Sequence, residues 1–345
     1  MYIVKCGNCT PLGERAGVTA ASVRAGFSAI SISEKFEDEA WEPVRLGLAE
    51  YMNEYLNIEE QFQELAYSAL KEVVSFFPEN NIRVAQIPLI VGLPEGRPGL
   101  PTQLSKSLEQ KLFEASKNVN IPFSMDFILQ GHTSCLSALE QARNRLESNE
   151  FCVVGGVDSY DDKGTIQWLE KSIKRLFCST TDDGFVPGQA AGFVLLASEE
   201  TVSKYQLSPF AKILSIASDE ESNSYDTGKN STSSALTKTI KQVLEVIPED
   251  TQIDEVYSTQ NGEKYSAIEY AYSVANVGTR FKEVSNMVAP YTCWGDLGAA
   301  SVPVLFGLMT EAGKKGYAKG PLNLVAAANL GTQRASALVE LLNLN

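Results

Sequence analysis

A single histidine, His132, serves the whole 345-residue chain. That scarcity excludes chemistry needing two imidazoles, whether a His-rich metal site or a histidine pair acting on one substrate. Cysteine is scarce too, at 6 residues, too few and too scattered for a disulfide scaffold. A reduced, cytoplasmic protein is therefore expected. Cys6-Gly7-Asn8-Cys9 has C-x-x-C spacing, but no second cysteine or histidine pair completes a zinc set. Thr10-Pro11 prolongs a turn where a redox motif would open a helix. Both thiols read as small core residues, and no metal is expected. No run reaches the ~18 apolar residues of a membrane helix, so no span is expected. The N-terminus lacks the basic start of a signal peptide. Basic residues are outnumbered, 29 Lys+Arg against 43 Asp+Glu, for a net charge of −14. That balance argues against nucleic acid as a partner. The densest basic group, Lys171, Lys174 and Arg175, has helical spacing and reads as a solvated face.

What is present is 44% hydrophobic residues, enough for one large domain or two half-domains sharing a core. The chain is organised around Phe127–Tyr160. Phe127-Ile128-Leu129 is β-prone, Gln130–Ser134 is a small polar corner, and Leu136, Leu139, Ala142 and Leu146 fall at helical spacing. Glu150–Val154 then reads as a buried strand ending in Gly155-Gly156. A sharp strand-to-helix corner exposes its apex side chain beside free N–H groups and a positive dipole end. The apex here is His132.

Around this stretch, strands and helices alternate. Helices are expected over Ala16–Ala29, Glu59–Phe77, Leu108–Val119, Thr165–Leu176, Ala235–Val246 and Ala267–Val277. Strands are expected at Tyr2–Lys5, Val84–Val91, Gly192–Ala197, Ala211–Ala217, Glu255–Thr259, Val284–Ala289, Leu322–Ala328 and Ala335–Leu341. Asp38–Arg45 reads as loop, Ser203–Ser208 as a connector and Ser218–Ser234 as an acidic loop. The alternation argues an α/β class. A second corner of small residues, Cys293–Ser301, opens a helix as the first does. Two similarly built halves, 1–207 and 208–345, suggest an internal duplication.

On these residues the chain resembles the condensing enzymes of the thiolase superfamily, the β-ketoacyl-(acyl carrier protein) synthases in particular. Cys9–Gly13 with Ser22–Gly26 resembles that family's opening "TPLG … LRAG". Gln130–Ala142 followed by Gly155-Gly156-Val157-Asp158-Ser159 resembles the nucleophile elbow and its "GGVD" strand end. Thr181–Ala190 resembles the "DGFVxGEGA" loop, with Gln189 in place of glutamate. Gly295–Ala300 resembles "GHxxGAA", and Ala328–Ser336 a degraded "GFGGTNAS". The resemblance implies a thiolase-like fold, with the two βα halves in five layers, α-β-α-β-α, and implies no cofactor. It also implies acyl carrier protein or acyl-CoA as partner, and a homodimer or a heterodimer with an active ketosynthase.

The family's chemistry does not carry over residue by residue. His132 falls where the acyl-accepting cysteine belongs. The two assisting histidines fall near Ser258 and at Gly295 or Asp296. One histidine cannot furnish a Cys-His-His triad. Two functions follow. One is a non-condensing, chain-length-factor-like partner of an active ketosynthase. The other is an acyltransferase, thioesterase or malonyl decarboxylase acting on acyl thioesters through His132. For the second, Asp296 would orient His132, with Ser258 as a further catalytic candidate. Ser134, Cys135 and Cys293 are alternative nucleophiles, and the backbone N–H groups of His132 and Leu330 would form an oxyanion hole. The helix N-terminus is expected to lower the His132 pKa and favour neutral imidazole.

Overall fold

The computed structural model describes residues 1–229, 231–342 and 344; Asn230, in the expected 218–234 loop, and Asn343 and Asn345, at the end of the expected second half, lie outside the described residues. The chain runs β1 (Tyr2–Cys9), α1 (Ala16–Arg24), β2 (Ile30–Glu37), β3 (Pro43–Gly47), α2 (Ile58–Val74), α3 (Phe76–Glu79), β4 (Ile87–Leu93), α4 (Leu104–Val119), β5 (Phe123–Leu129), α5 (Ser134–Arg145), β6 (Phe151–Ser159), α6 (Lys163–Gln167), β7 (Gln189–Ala197) and α7 (Glu199–Tyr205). It continues through β8 (Ala211–Glu220), α8 (Ser234–Leu244), β9 (Glu255–Ser258), α9 (Lys264–Val277), β10 (Met287–Val288), α10 (Tyr291–Trp294), α11 (Ser301–Lys314), β11 (Leu322–Ala328) and β12 (Gln333–Leu341).

Ten strands pair in the order β10-β9-β11-β12-β8-β1-β7-β6-β4-β5. The sheet narrows at one junction, where only Tyr2 and Ile3 of β1 meet Lys212 and Ala211 of β8. On either side of it the wiring is the same. β1 is antiparallel to β7 and β7 to β6, whereas β6-β4 and β4-β5 are parallel. β8-β12 and β12-β11 are antiparallel, whereas β11-β9 and β9-β10 are parallel. The second half thus repeats the strand order of the first.

Layering follows from which faces are apolar. α2 and α4 bury Phe62, Leu65, Leu70, Leu108 and Leu112 against the outer face of the first half. α8 and α9 bury Leu236, Ile240, Tyr270 and Val274 against the outer face of the second. α5 and α11 lie between the halves and share one core with strands of both. This is the five-layer arrangement. α11 is buried all round from Ser301 to Thr310, as a helix between two sheets must be. β4, β6 and β7 are buried along their whole length, which explains their unbroken apolar runs. α2 starts cleanly because Asn57 and Glu60 form a reciprocal capping box. Cys6 and Cys9 point into different cores, on opposite faces of β1.

Four local readings are corrected. The 38–45 stretch is not all loop: Pro43–Gly47 pairs with Ile30–Glu37 as a hairpin. The expected helix over 165–176 ends early, as α6 passes into a π turn at Trp168–Ser172. The first half of the 203–208 connector is helix, because Ser198 caps the N–H of Thr201 and starts α7, which ends at Tyr205. The 284–289 strand shrinks to Met287–Val288. The second correction dissolves the basic face. Lys171 pairs with Glu39 on the surface, Lys174 adopts φ +53, and Arg175 turns inward to 4% exposure. The physical reason is a buried carboxylate, Glu263, that Arg175 pairs with.

Candidate functional site

The elbow is built by a glycine and a short turn. After β5, Gly131 takes φ +55, a conformation that favours a residue without Cβ. Gly131–Thr133 form one 3₁₀ turn, and α5 begins at Ser134. His132 is thereby turned into the protein, at 3% exposure. Asp296 arrives from the second half. Gly295, at φ +80, reverses the chain after α10, and a Cβ there would stand 2.4 Å from the Val186 carbonyl. The Asp296 backbone is stitched to the 186–188 loop by its N–H to Val186 (2.7 Å) and by Gly188 N–H to its carbonyl (2.9 Å).

These two segments bring His132 Nε2 to 2.7 Å from Asp296 Oδ1. The carboxylate is otherwise saturated. The Gly298 N–H donates to Oδ1 at 2.7 Å, the Tyr160 hydroxyl to Oδ1 at 3.3 Å and Asn261 Nδ2 to Oδ2 at 2.8 Å. Burial alone would raise the Asp296 pKa, but His132 and these donors outweigh it and bring it to about 2. For His132, burial favours the neutral ring, yet Asp296, and more weakly Asp158 and Glu95, raise its pKa above the ordinary value. The expectation of a lowered pKa and a neutral imidazole is therefore corrected. A full charge at hydrogen-bond distance dominates the partial charge of a helix end. The contact thus favours the charged pair, imidazolium with carboxylate.

A chain of polar contacts continues outward. Asn261 Nδ2 also donates to Glu263 Oε2 at 2.9 Å. Glu263 accepts Arg175 Nε at 2.7 Å and Nη2 at 2.5 Å, the forked geometry of a bidentate pair. Arg175 Nη1 reaches the Leu330 carbonyl at 3.1 Å. On the other side, Arg97 Nη2 donates to Asp158 Oδ1 at 2.7 Å and to the Ser159 carbonyl at 2.8 Å, and its guanidinium lies 4.1 Å from the Tyr160 ring centre. Asp158 in turn accepts the Ala299 N–H at 3.0 Å. A second buried pair, Glu269–Arg334, stands behind the first. A cavity of about 130 Å³ opens beside His132, with Glu95, Arg97, Tyr160, Arg175 and Leu330 on its walls.

The remaining sequence candidates separate from His132. Ser258 sits at the end of β9, where its Oγ accepts the Gln260 N–H at 3.2 Å. It lines a different cleft, which contains Asp296 but not His132. Asn261, three residues on, holds Asp296 instead. Cys135 is fully buried in the central apolar core, and burial raises its pKa far above the ordinary thiol value. It lies outside the cavity lining, one turn along the helix from His132. Ser134 is equally buried and lies under Gly92, where a Cβ would stand 2.1 Å from its Oγ. Cys293 is buried on α10 in the same core, and burial raises its pKa as well. Among the described residues, none of these four shares the His132 cavity. Leu330 does share it. Sequence reading missed Arg97, Tyr160, Asn261, Arg175 and Glu263. Only Asp158, inside the "GGVD" strand end, carried a signal; Arg175 read as a surface residue.

No protein-family model matches the chain, and no curated protein does. Solved structures match over its whole length. The AntDE:AntF assembly, a type II polyketide synthase acyl-carrier protein in complex with its ketosynthase bound to the hexaketide, aligns with a TM-score of 0.80 at 12% identity, covering 99% of this chain and 98% of that one. The chain has the ketosynthase fold. The ishigamide ketosynthase/chain length factor aligns at TM-score 0.68 and 17% identity, covering 99% of both chains. The ketosynthase from module 6 of the bacillaene synthase of Bacillus subtilis 168 aligns at 0.74 and 13% identity, covering 99% of this chain and 72% of that one. At such identities the likeness is one of fold. No helix among the described residues is long and apolar enough to cross a membrane.

Proposed function

We propose that this chain is a non-condensing ketosynthase-like subunit of fatty-acid or polyketide-type biosynthesis, acting as the partner of an active ketosynthase. One observation carries the reading. The elbow position holds His132 in a buried ion pair with Asp296, and no hydroxyl or thiol among the candidates reaches the same cavity. The carboxylate favours the imidazolium, which has no lone pair with which to accept an acyl group or a proton. The reading makes acyl carrier protein or acyl-CoA the acyl source and divides the chain into halves 1–207 and 208–345. Its free thiols fit the reducing cytoplasm.

The surface supports pairing. Among the described residues β5 is an edge strand bonded only to β4, with Phe123, Met125 and Phe127 half-buried and Leu129 57% exposed. An apolar open edge of this length invites a second chain. The aligned structures include a ketosynthase/chain length factor and a carrier protein complex, which fit such partners. Because Arg175 is buried and Lys171 is paired, a carrier protein would dock elsewhere than on the 171–175 stretch.

A second reading is favoured by the cavity. With His132 as acid and Asp296 as its orienting partner, the site would hydrolyse or transfer an acyl thioester, or decarboxylate a malonyl thioester. One experiment separates the two. The purified protein is incubated with acyl- and malonyl-carrier protein, and intact-mass adducts, thioester hydrolysis and CO₂ are followed. Turnover that His132→Ala abolishes sinks the partner reading. Silence alone, with altered chain length once a ketosynthase is added, sinks the stand-alone enzyme.

A further inference from the structure

A second cavity, of about 330 Å³, opens between α1, α11 and strands β9 and β10, and shares no lining residue with the one beside His132. Its size is that of a small-molecule site. Ala20 and Val23 of α1, Val288 of β10, and Leu308 and Ala312 of α11 give it apolar walls. Residues three or four apart share a helix face, so each helix turns one apolar stripe to the gap. β9 adds Glu255 and Tyr257, which are two apart and lie on one face of the strand.

Glu255 is only 8% exposed. Its Oε2 accepts the Tyr257 hydroxyl at 2.9 Å, which orients the carboxylate. Among the described residues, Oε1 accepts no hydrogen bond and no cation forms an ion pair with the group. Burial raises the Glu255 pKa in spite of the Tyr257 bond and the charge of Lys319, so the negative form is under-compensated. Two cations also line the cavity, Arg24 and Lys319, and both are exposed. The Arg24 guanidinium already lies 4.4 Å from the Tyr317 ring centre. Water and salt screen exposed charges, whereas a desolvated carboxylate acts across a low dielectric. The buried negative group therefore sets the sign of the ligand. A positive head with hydrogens to donate, on an apolar body, satisfies both Glu255 and the walls.

We propose that this second cavity binds a primary amine with an apolar body, its ammonium on Glu255 Oε1 and its chain along Val23, Val288 and Leu308. An ammonium carries three hydrogens, so it bonds Glu255 and still offers donors to water at the mouth. No bond is made or broken. The site is independent of His132 and of the partner reading above.

The test follows methyl-labelled valine and leucine by NMR as hexylamine is titrated in. The methyl signals of Val23, Val288 and Leu308 are expected to shift together and saturate. The imidazole of His132, which lines the other cavity, is expected to stay in place. Hexan-1-ol, the neutral isostere, is expected to bind about tenfold more weakly, because a charge-assisted hydrogen bond is roughly twice as strong as a neutral one. Butylamine is expected to bind about fifteenfold more weakly than hexylamine, at about fourfold for each buried methylene lost. Glu255→Gln keeps the shape of the side chain and should bring hexylamine down to the affinity of hexan-1-ol. Lys319→Met, at an exposed position, should strengthen hexylamine, because a competing cation is gone. Silent methyls overturn the proposal, as do a response confined to His132, an unchanged affinity in Glu255→Gln, or a wild-type preference for hexanoate over hexylamine. Should Glu255→Gln fail to fold, Lys319→Met decides: unchanged or weaker binding of hexylamine there overturns the proposal as well.

Discussion

Replacing Asp296 with asparagine isolates the charge on which the elbow depends. The new side chain keeps the shape of the old one but loses the charge facing His132 at 2.7 Å. In the native protein, burial works to raise the Asp296 pKa, yet His132, Asn261 and the Gly298 N–H hold it at about 2 against an ordinary 3.8. That depression contributes about 2 kcal/mol to stability at neutral pH. A buried charge stripped of its partner costs about 3–5 kcal/mol. His132 avoids that cost by releasing its proton, so the smaller figure is expected for Asp296→Asn. The Asp296 contribution is present above 3.8 and is lost as pH falls through about 2. The His132 pKa is raised, so its contribution is full below 6.5 and is lost as pH rises through the elevated value. The pair therefore stabilises most between 3.8 and 6.5, and the variant should lose that advantage. Urea unfolding of both proteins from mildly acid to alkaline pH measures the stability, and NMR of the one imidazole reports its charge. A wild-type ring that titrates at its ordinary value, or an asparagine variant of unchanged stability, would refute the ion pair.

Three further outcomes follow from the packing. Of the six cysteines, only Cys178 is not buried, so brief iodoacetamide treatment of native protein should add one label by intact mass, and unfolding should admit the rest; early modification of Cys135 or Cys293 would contradict the placement of both. Gly298→Ala should lower the Tm markedly, at a cost of about 2 kcal/mol or more, because a Cβ there would stand 1.9 Å from Asp158 Oδ2 on a backbone with φ +50. Arg175→Met leaves Glu263 buried without its partner and should cost about 3–5 kcal/mol in urea unfolding. Adding Glu263→Met should restore much of that; additive losses in the double variant would show that the two side chains are not coupled.

Fold and site differ in how far the sequence reveals them. The duplicated architecture was legible because hydrophobic periodicity is local. The continuous apolar runs of β4, β6 and β7 and the helical stripes of α2 and α8 record which faces are covered. The corner at Gly131–Ser134 was legible because a sharp strand-to-helix turn needs small residues and a glycine with φ +55. The π turn after α6 was not, since the inward turn of Arg175 answers to Glu263, 88 residues away. Helical spacing of Lys171, Lys174 and Arg175 carries no trace of that partner.

By itself the sequence determined the α/β class, the elbow, and the fact that any imidazole chemistry has one possible address, His132. Only the tertiary structure decided the state of that histidine. Asp296, Asn261 and Glu95 lie between 37 and 164 positions from it along the chain. Folding brings their charges into a buried site where water no longer screens them, and there the sum of their fields, not the local helix end, sets the proton on the ring.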